Sequence, residues 1–252
     1  MISMSKLGDV KTLGRLGNSM FQYSFLRTKA NELGVQYSCP HWWGDDIFEL
    51  NETNRIISEK PEDKTFNILT VNSGFTLATN EITDGTEILG YFQSPKYFDR
   101  KQVLKWFTFK LEIQKSQNDY NLDNRIAVHV RRGDYLSFKH VFNILGKDYY
   151  LKALSEMATK RIALFSDNMM LAKSLFFGKH VCIMPIHSRK PETDLFLMTK
   201  CNGVVMANSS FSFWGAYLNK NQNRIVCPKK WYSRPRQPTS KEDIVREEWK
   251  LI

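Results

Sequence analysis

No apolar run in this chain approaches the ~20 residues that a membrane-spanning helix needs; Gly203 to Ala207 is typical of its longest stretches. The N-terminal MISMSKLGDVK lacks the apolar core of a secretory signal, so the chain is expected to stay in the cytoplasm where it is made. Cysteines are few and scattered. Cys39, Cys182, Cys201 and Cys227 form no CxxC pair and have no histidine at ligand spacing, which argues against a zinc site or a disulfide framework and fits reduced thiols. Internal repeats and low-complexity tracts are absent too, and no RNP-like, zinc-finger or helix-turn-helix pattern appears. Nor is there a ready-made nucleotide fingerprint: no GK[ST] completes a Walker loop, and GxGxxG is missing.

What is there suits one large domain or two small ones. The 252 residues are 42% hydrophobic and 13% aromatic, enough to build real cores and to exclude disorder. Lys and Arg number 36 against 26 Asp and Glu, a formal charge of +10. That balance permits a polyanionic partner, an anionic membrane surface touched peripherally, or a phosphorylated substrate. Part of the excess sits in solvated-looking stretches such as KKWYSRPR, residues 229–236. A nucleic-acid partner would require basic residues interleaved with aromatics in a recognisable motif, and none is found.

From Arg125 onward short apolar runs alternate with helical patterns: RIAVHV, DYYLKALSEMATK, RIALFSD, NMMLAKSLF, HVCIMP, PETDLFLMTKC, GVVMAN, SSFSFWGAYLN and RIVCP. Alternation of this kind predicts parallel βαβ units, hence a Rossmann-like doubly wound α/β sheet with ligands at the carboxyl ends of its strands. The first half is less regular. VKTLGRLGN reads as a strand and tight turn before a helix over about 19–33, and NILTVNS as a lone strand; the signals over 35–80 are weak enough to suggest loops or an acceptor-facing surface. The polar QKSQNDYNLDN, residues 114–124, is the natural linker and places a boundary near Asp119, with lobes 1–118 and 119–252.

Three stretches carry chemistry. In HVRRGDY an apolar strand ends in His129, Arg131, Arg132 and Asp134, with Gly133 to turn the backbone. Forked arginine donors match phosphate oxygens, although an ion pair between either arginine and Asp134 reads equally from the residues. In ANSSFSFWG a strand ends at Asn208, and Ser209 or Ser210 can cap a helix whose first N–H groups, through Phe211, would hold an anion. Plain capping is the simpler account of that stretch alone. In GRLGNSMFQYS, Arg15 and Asn18 sit in a glycine-flanked turn, where Asn18 can also serve as N-cap. Two such strand ends side by side would hold a diphosphate. The cluster HWWGDDIF, residues 41–48, reads either as a platform for sugar faces or as core packing, and His41, His140, His180 and His187 default to surface or core roles.

Taken together, GRLGNSMFQYS, GYFQSPKYF, HVRRGDY, FSDN, DLFLMTKC, NSSFSFWGAYL, Pro228 with KKW near it, and EEWKLI closely resemble the α-1,2-fucosyltransferases of glycosyltransferase family 11. The resemblance implies a GT-B-like pair of Rossmann-like lobes with GDP-fucose in the cleft between them. It further implies transfer to the 2-hydroxyl of a galactose-containing oligosaccharide, inversion at the fucose anomeric carbon, and no metal or other cofactor. Arg131 is similar to the arginine that grips the β-phosphate, with His129 beside it at the nucleotide. Asp194, fifteen residues before Ser209, has the spacing of the guanine-reading carboxylate. Arg15 and Asn18 match the turn that reaches the sugar-phosphate side. Arg131, Arg15 and the backbone N–H groups from Ser209 to Phe211 would stabilise the leaving group, while Asp134 either orients the arginines or acts as base. Ser19 stands where the family has Gln, and Phe213 with Trp214 where it has paired Trp, changes that bear on the fit of the acceptor. Another nucleotide-sugar transferase, or an inactive sugar-binding homologue, remains the alternative.

Overall fold

The computed structural model describes residues 1–11, 14–58, 67–71, 76–188, 190–233 and 244–252. Two compact units emerge, one built on Met1–Lys110 with Gln237–Ile244 and the other on Leu111–Arg236 with Val245–Ile252.

The second unit follows the alternation written in its sequence. Its strands are β6 (Ile126–Val130), β7 (Arg161–Ser166), β8 (Cys182–Pro185), β9 (Val204–Val205), β10 (Ile225–Cys227) and β11 (Lys250–Leu251). Between and around them run α4 (Leu111–Gln114), α5 (Gly133–Ser137), α6 (Lys147–Glu156), α7 (Met169–Ser174), α8 (Pro191–Lys200) and α9 (Ser210–Tyr217). The strands pair in parallel in the order β11-β10-β9-β6-β7-β8. Counted within the unit this is the doubly wound Rossmann order, and the winding reverses between β6 and β9. β6 lies at the centre and is buried at every position, which is why IAVHV shows no polar alternation. Val128, Val130, Tyr150, Leu154, Leu164 and Val205 build the core around it.

The first unit is a second parallel sheet, in the order β3-β2-β1-β5-β4. Its strands are β1 (Ile2–Ser3), β2 (Tyr37–Cys39), β3 (Arg55–Ile57), β4 (Asn67–Val71) and β5 (Thr86–Gly90). Helices α1 (Leu16–Leu33), α2 (Trp43–Ile47) and α3 (Arg100–Trp106) accompany them. α1 ends at Gly34, whose φ of 65° lets its N–H reach the carbonyls of Ala30 and Asn31. Phe25 of α1 stacks on Phe92 at 3.9 Å and anchors the turn after β5.

Three expectations are corrected here. The first strand is Ile2–Ser3 rather than part of VKTLGRLGN; Val10 and Lys11 lie in an exposed turn, and Thr12 and Leu13 lie outside the described residues. Between 35 and 58 the chain holds β2, α2 and β3 instead of loops alone, and β4 falls where NILTVNS reads as a strand. Strands of two or three residues are too short to show a period, so their pattern could not be seen. Asn72 and Ser73 of NILTVNS, and the end of KKWYSRPR from Arg234, also lie outside the described residues. Finally, the units divide at Lys110–Leu111 and not near Asp119. α4 and the helical turn Lys115–Asp119 pack on α8, which ties the start of the polar stretch to the second unit.

Candidate active site

In a doubly wound sheet, loops leaving the two strands at the reversal diverge and open a crevice at their carboxyl ends. In the second unit those strands are β6 and β9, and they deliver HVRRGDY and NSSFS. Tyr135 Oη bridges the two loops by donating to the Asn208 carbonyl at 3.0 Å.

The two arginines part company at once. Arg132 is 6% exposed and donates to the Leu145 carbonyl at 2.6 Å, so it fastens a neighbouring loop. Arg131 faces two carboxylates: Nη2 meets Asp134 at 2.6 Å and Nη1 meets Asp167 at 2.8 Å. Asp167 also accepts the Arg132 N–H at 2.8 Å. Gly133 is needed less for turning than for space, since a Cβ there would lie 2.5 Å from the Asp167 carboxylate. The guanidinium further lies over the Tyr135 ring, 5.3 Å from its centroid.

His129 is the polar exception in β6 and is 5% exposed. Burial, reinforced by Arg131, pushes its pKa down to about 4, with Asp167 opposing more weakly. It is therefore neutral near pH 7, and its ring lies 5.4 Å from Phe211. Among the described residues, neither His129 Nδ1 nor Arg131 Nε has a hydrogen-bond partner, although both are buried. Unpaired buried donors and acceptors are uncommon in native proteins.

At the end of β9, Asn208 donates to the carbonyls of Asn143 at 2.9 Å and Trp231 at 2.6 Å, which clamps the loop from inside. Ser209 is the N-cap of α9 but its side chain makes no capping bond. Its N–H donates to the Ala207 carbonyl at 2.9 Å, so that N–H is taken up within the loop. The first-turn N–H groups of Ser210 and Phe211 remain without intrahelical acceptors, at the positive end of the helix. Ser210 and Phe211 are part-exposed, whereas Phe213 and Trp214 are fully buried. The Phe213–Trp214 departure is thus a matter of packing and not of contact with an acceptor.

Asp194 stands on the same carboxyl edge, in the first turn of α8. Its Oδ1 accepts from Ser188 Oγ at 2.6 Å. Burial pushes its pKa up to about 6, the Ser188 hydrogen bond opposing and Glu192 adding to the rise.

In the first unit the winding reverses between β1 and β5, and the structure brings together two stretches far apart in sequence. Asn18 Oδ1 accepts from Gln93 Nε2 at 2.9 Å. Gln22, fully buried, donates to the Gly90 carbonyl at 3.0 Å. Arg15 is exposed and occupies the N-cap position, so Asn18 is the third helical residue and not the cap. Gly14 makes the turn possible: its φ is 92°, and a Cβ would come within 2.2 Å of the Asn18 amide.

Of the residues singled out in the sequence, the structure brings Arg131, Asp134, His129 and the start of α9 together at the carboxyl ends of β6 and β9. Asp167, Tyr135 and Gln93 were not singled out. Asp167 had a readable signal, because FSDN is an apolar strand ending in a carboxylate just as HVRRGDY is one ending in arginines. Among the described residues no group of three or more His, Cys, Asp or Glu could hold a metal ion, and no helix is long and apolar enough to cross a membrane. All four cysteines are free thiols.

Comparison with known proteins identifies the family and the fold. The sequence profile of glycosyl transferase family 11 matches residues 1–252. The O-antigen biosynthesis glycosyltransferase WbnK of Escherichia coli is 26% identical over 94% of this chain and 97% of its own. An α-1,2-colitosyltransferase of Escherichia coli is 27% identical over 95% and 96%. Among solved structures, the α-1,6-fucosyltransferase NodZ, an enzyme from Bradyrhizobium, was soaked with GDP-fucose and shares the two-unit GT-B-like fold. Its TM-score is 0.52 at 13% identity, covering 86% of this chain and 92% of that one.

Proposed function

The chain belongs to glycosyltransferase family 11, and from that premise we propose that it transfers L-fucose from GDP-fucose to the 2-hydroxyl of a galactoside in a glycan. Transfer inverts the anomeric carbon and uses no metal. The observation that carries the reading is Arg131 at the end of β6, beside the first-turn N–H groups of α9 at the sheet's reversal point. A forked cation and a helix N-terminus make a site for a diphosphate.

Each residue then has a task. As the acceptor hydroxyl attacks, charge grows on the β-phosphate, and Arg131 with the Ser210 and Phe211 N–H groups stabilises it. Asp167, the less exposed of the two carboxylates on Arg131, holds the guanidinium in place. Asp134 is the partner an incoming phosphate displaces, and a carboxylate so engaged is a poor base. In this reading it holds Arg131 only until the donor binds. Neutral His129 lines the nucleotide side without adding charge. Asp194, when ionised, accepts from guanine N1–H and the exocyclic amine together, a match that adenine lacks. Arg15 and Asn18 serve the sugar-phosphate side. The colitosyltransferase relative supports a second reading, in which the GDP chemistry is the same and the transferred sugar is colitose.

The test is thermal unfolding with GDP, GDP-fucose, GDP-mannose, ADP and UDP, with and without EDTA. A ligand at ~100 times its dissociation constant adds about 2.7 kcal/mol. Stabilisation by guanine nucleotides alone, unaffected by EDTA, is expected, and Arg131→Ala should lower turnover by ~10²–10³. Near wild-type turnover in that variant, or no preference for guanine, would sink the assignment.

A further inference from the structure

The adjacent tryptophans after β2 have opposite fates. Trp42 is 3% exposed, stacks on Tyr23 at 4.9 Å and meets Phe107 edge-on at 6.5 Å. Trp43 points the other way and is 44% exposed. Single exposed aromatics are common on proteins and by themselves mean nothing. This one sits on a loop that is held with unusual care. Asp45 accepts the Trp42 N–H at 2.9 Å, and its carboxylate takes two hydrogen bonds from Arg55, at 2.5 and 3.0 Å. Arg55, whose side chain is only 2% exposed, also donates to the Pro40 carbonyl at 2.7 Å, and Lys110 reaches the Asp45 carbonyl at 2.7 Å. Gly44 leaves room for the buried ring, since a Cβ there would fall 2.2 Å from Trp42. A buried cation thus fixes a short turn whose one large outward group is an indole.

Placement and surroundings narrow what that indole meets. The loop leaves the carboxyl end of β2, the edge of the sheet that also carries Arg15, Asn18 and Gln93. It touches the β1–α1 connection, where a Cβ on Gly8 would lie 3.2 Å from Trp42. On either side of Trp43 stand His41, its side chain 59% exposed, and Asp46, 75% exposed; His41 Nε2 is 3.6 Å from Asp45 and 4.0 Å from Asp46. Asp45 is matched by Arg55, but the exposed Asp46 carboxylate beside the ring disfavours a phosphate group stacked there. A neutral ring with one C–H face and hydroxyls round its rim meets all three groups. The face packs on the indole, while imidazole and carboxylate serve the rim. The rigid turn means little is lost in ordering the site on binding.

We infer that Trp43, flanked by His41 and Asp46, is a stacking platform for a pyranose of the acceptor glycan. The inference rests on the proposed glycosyl transfer and names where the acceptor is held. The test uses the full chain with Trp43→Ala, Trp43→Phe and His41→Ala. Tryptophan fluorescence is titrated with galactose, lactose, glucose and N-acetylglucosamine in the presence of GDP, and acceptor and donor KM are measured with lactose. Trp43→Ala should abolish the sugar-dependent fluorescence change and raise the acceptor KM about three- to tenfold. Trp43→Phe, which keeps an aromatic face but removes the fluorophore, should restore most of the acceptor KM while its fluorescence stays insensitive to sugar, and His41→Ala should show a smaller rise in acceptor KM, with donor KM and the GDP thermal shift unchanged in all three. The inference is overturned if no sugar alters wild-type fluorescence, or if Trp43→Ala keeps the wild-type sugar response or acceptor KM. Failure of the underlying reading looks different, because GDP would then not stabilise the wild-type protein at all.

Discussion

Replacing each carboxylate on Arg131 in turn should give unequal results. Asp167 and Asp134 lie at similar distances from the guanidinium, 2.8 and 2.6 Å, but their settings differ. The Asp134 side chain is 36% exposed and lies in the first turn of α5. Asp167 is 23% exposed, faces an arginine that is 16% exposed, and also holds the Arg132 N–H at 2.8 Å. Exposed ion pairs contribute ~0–1 kcal/mol, whereas breaking a buried one costs about 3–5 kcal/mol. Asp134→Ala should therefore cost under about 1 kcal/mol. Asp167→Ala lies between the limits and loses a charge-assisted bond to the backbone too, which places it at about 2–3 kcal/mol. For a chain of this size that is a fall in Tm of roughly 4–12 °C, against at most roughly 4 °C for Asp134→Ala. Asp167→Asn, which keeps an acceptor for the Arg132 N–H, should recover part of the loss. GDP titrations should split the same way: Asp134→Ala keeps or gains affinity because a competitor for Nη2 is gone, and Asp167→Ala loses affinity because Arg131 is no longer held. Equal losses in the two alanine variants, or a larger loss for Asp134, would refute the reasoning.

Asp194 should make guanine binding depend on pH. With a pKa near 6 it is increasingly protonated below that value, so GDP affinity should fall as pH drops from about 7 to 5, and Asp194→Asn should flatten the profile. Stability without ligand is a poorer readout. The raised Asp194 pKa lets the folded state bind the extra proton between 3.8 and about 6, so its contribution falls as pH rises; the lowered His129 pKa makes the unfolded state bind the extra proton between about 4 and 6.5, and that contribution rises with pH. The two largely offset. Gly14→Ala should impair transfer more than folding, since a Cβ at φ 92° strains the turn by about 1–3 kcal/mol and displaces the Asn18 amide from Gln93. Stability by thermal unfolding and turnover at saturating donor separate the two effects; unchanged turnover would remove Asn18 from the site.

Much of the second unit was legible because its signals are local. Strands covered on both faces must be continuously apolar, and helices between them must carry a 3.6-residue period. The unequal placement of its polar groups was not local. The pairing register sets Val130 against Ser166, so the next residues, Arg131 and Asp167, emerge side by side at the crevice. Nothing in HVRRGDY announces a partner 35 residues on. The first unit was harder, since β1, β2 and β3 have two or three residues each and are defined by their neighbours' hydrogen bonds more than by their own pattern.

By itself, then, the sequence determined a parallel α/β chain whose charged strand ends suit a diphosphate, because burial and chain direction are written in residue types along the backbone. Only the tertiary structure decided which arginine faces the crevice and which fastens a loop, which carboxylates hold it, and which of two neighbouring tryptophans turns outward. Those choices depend on distances between segments that meet only when the sheets form.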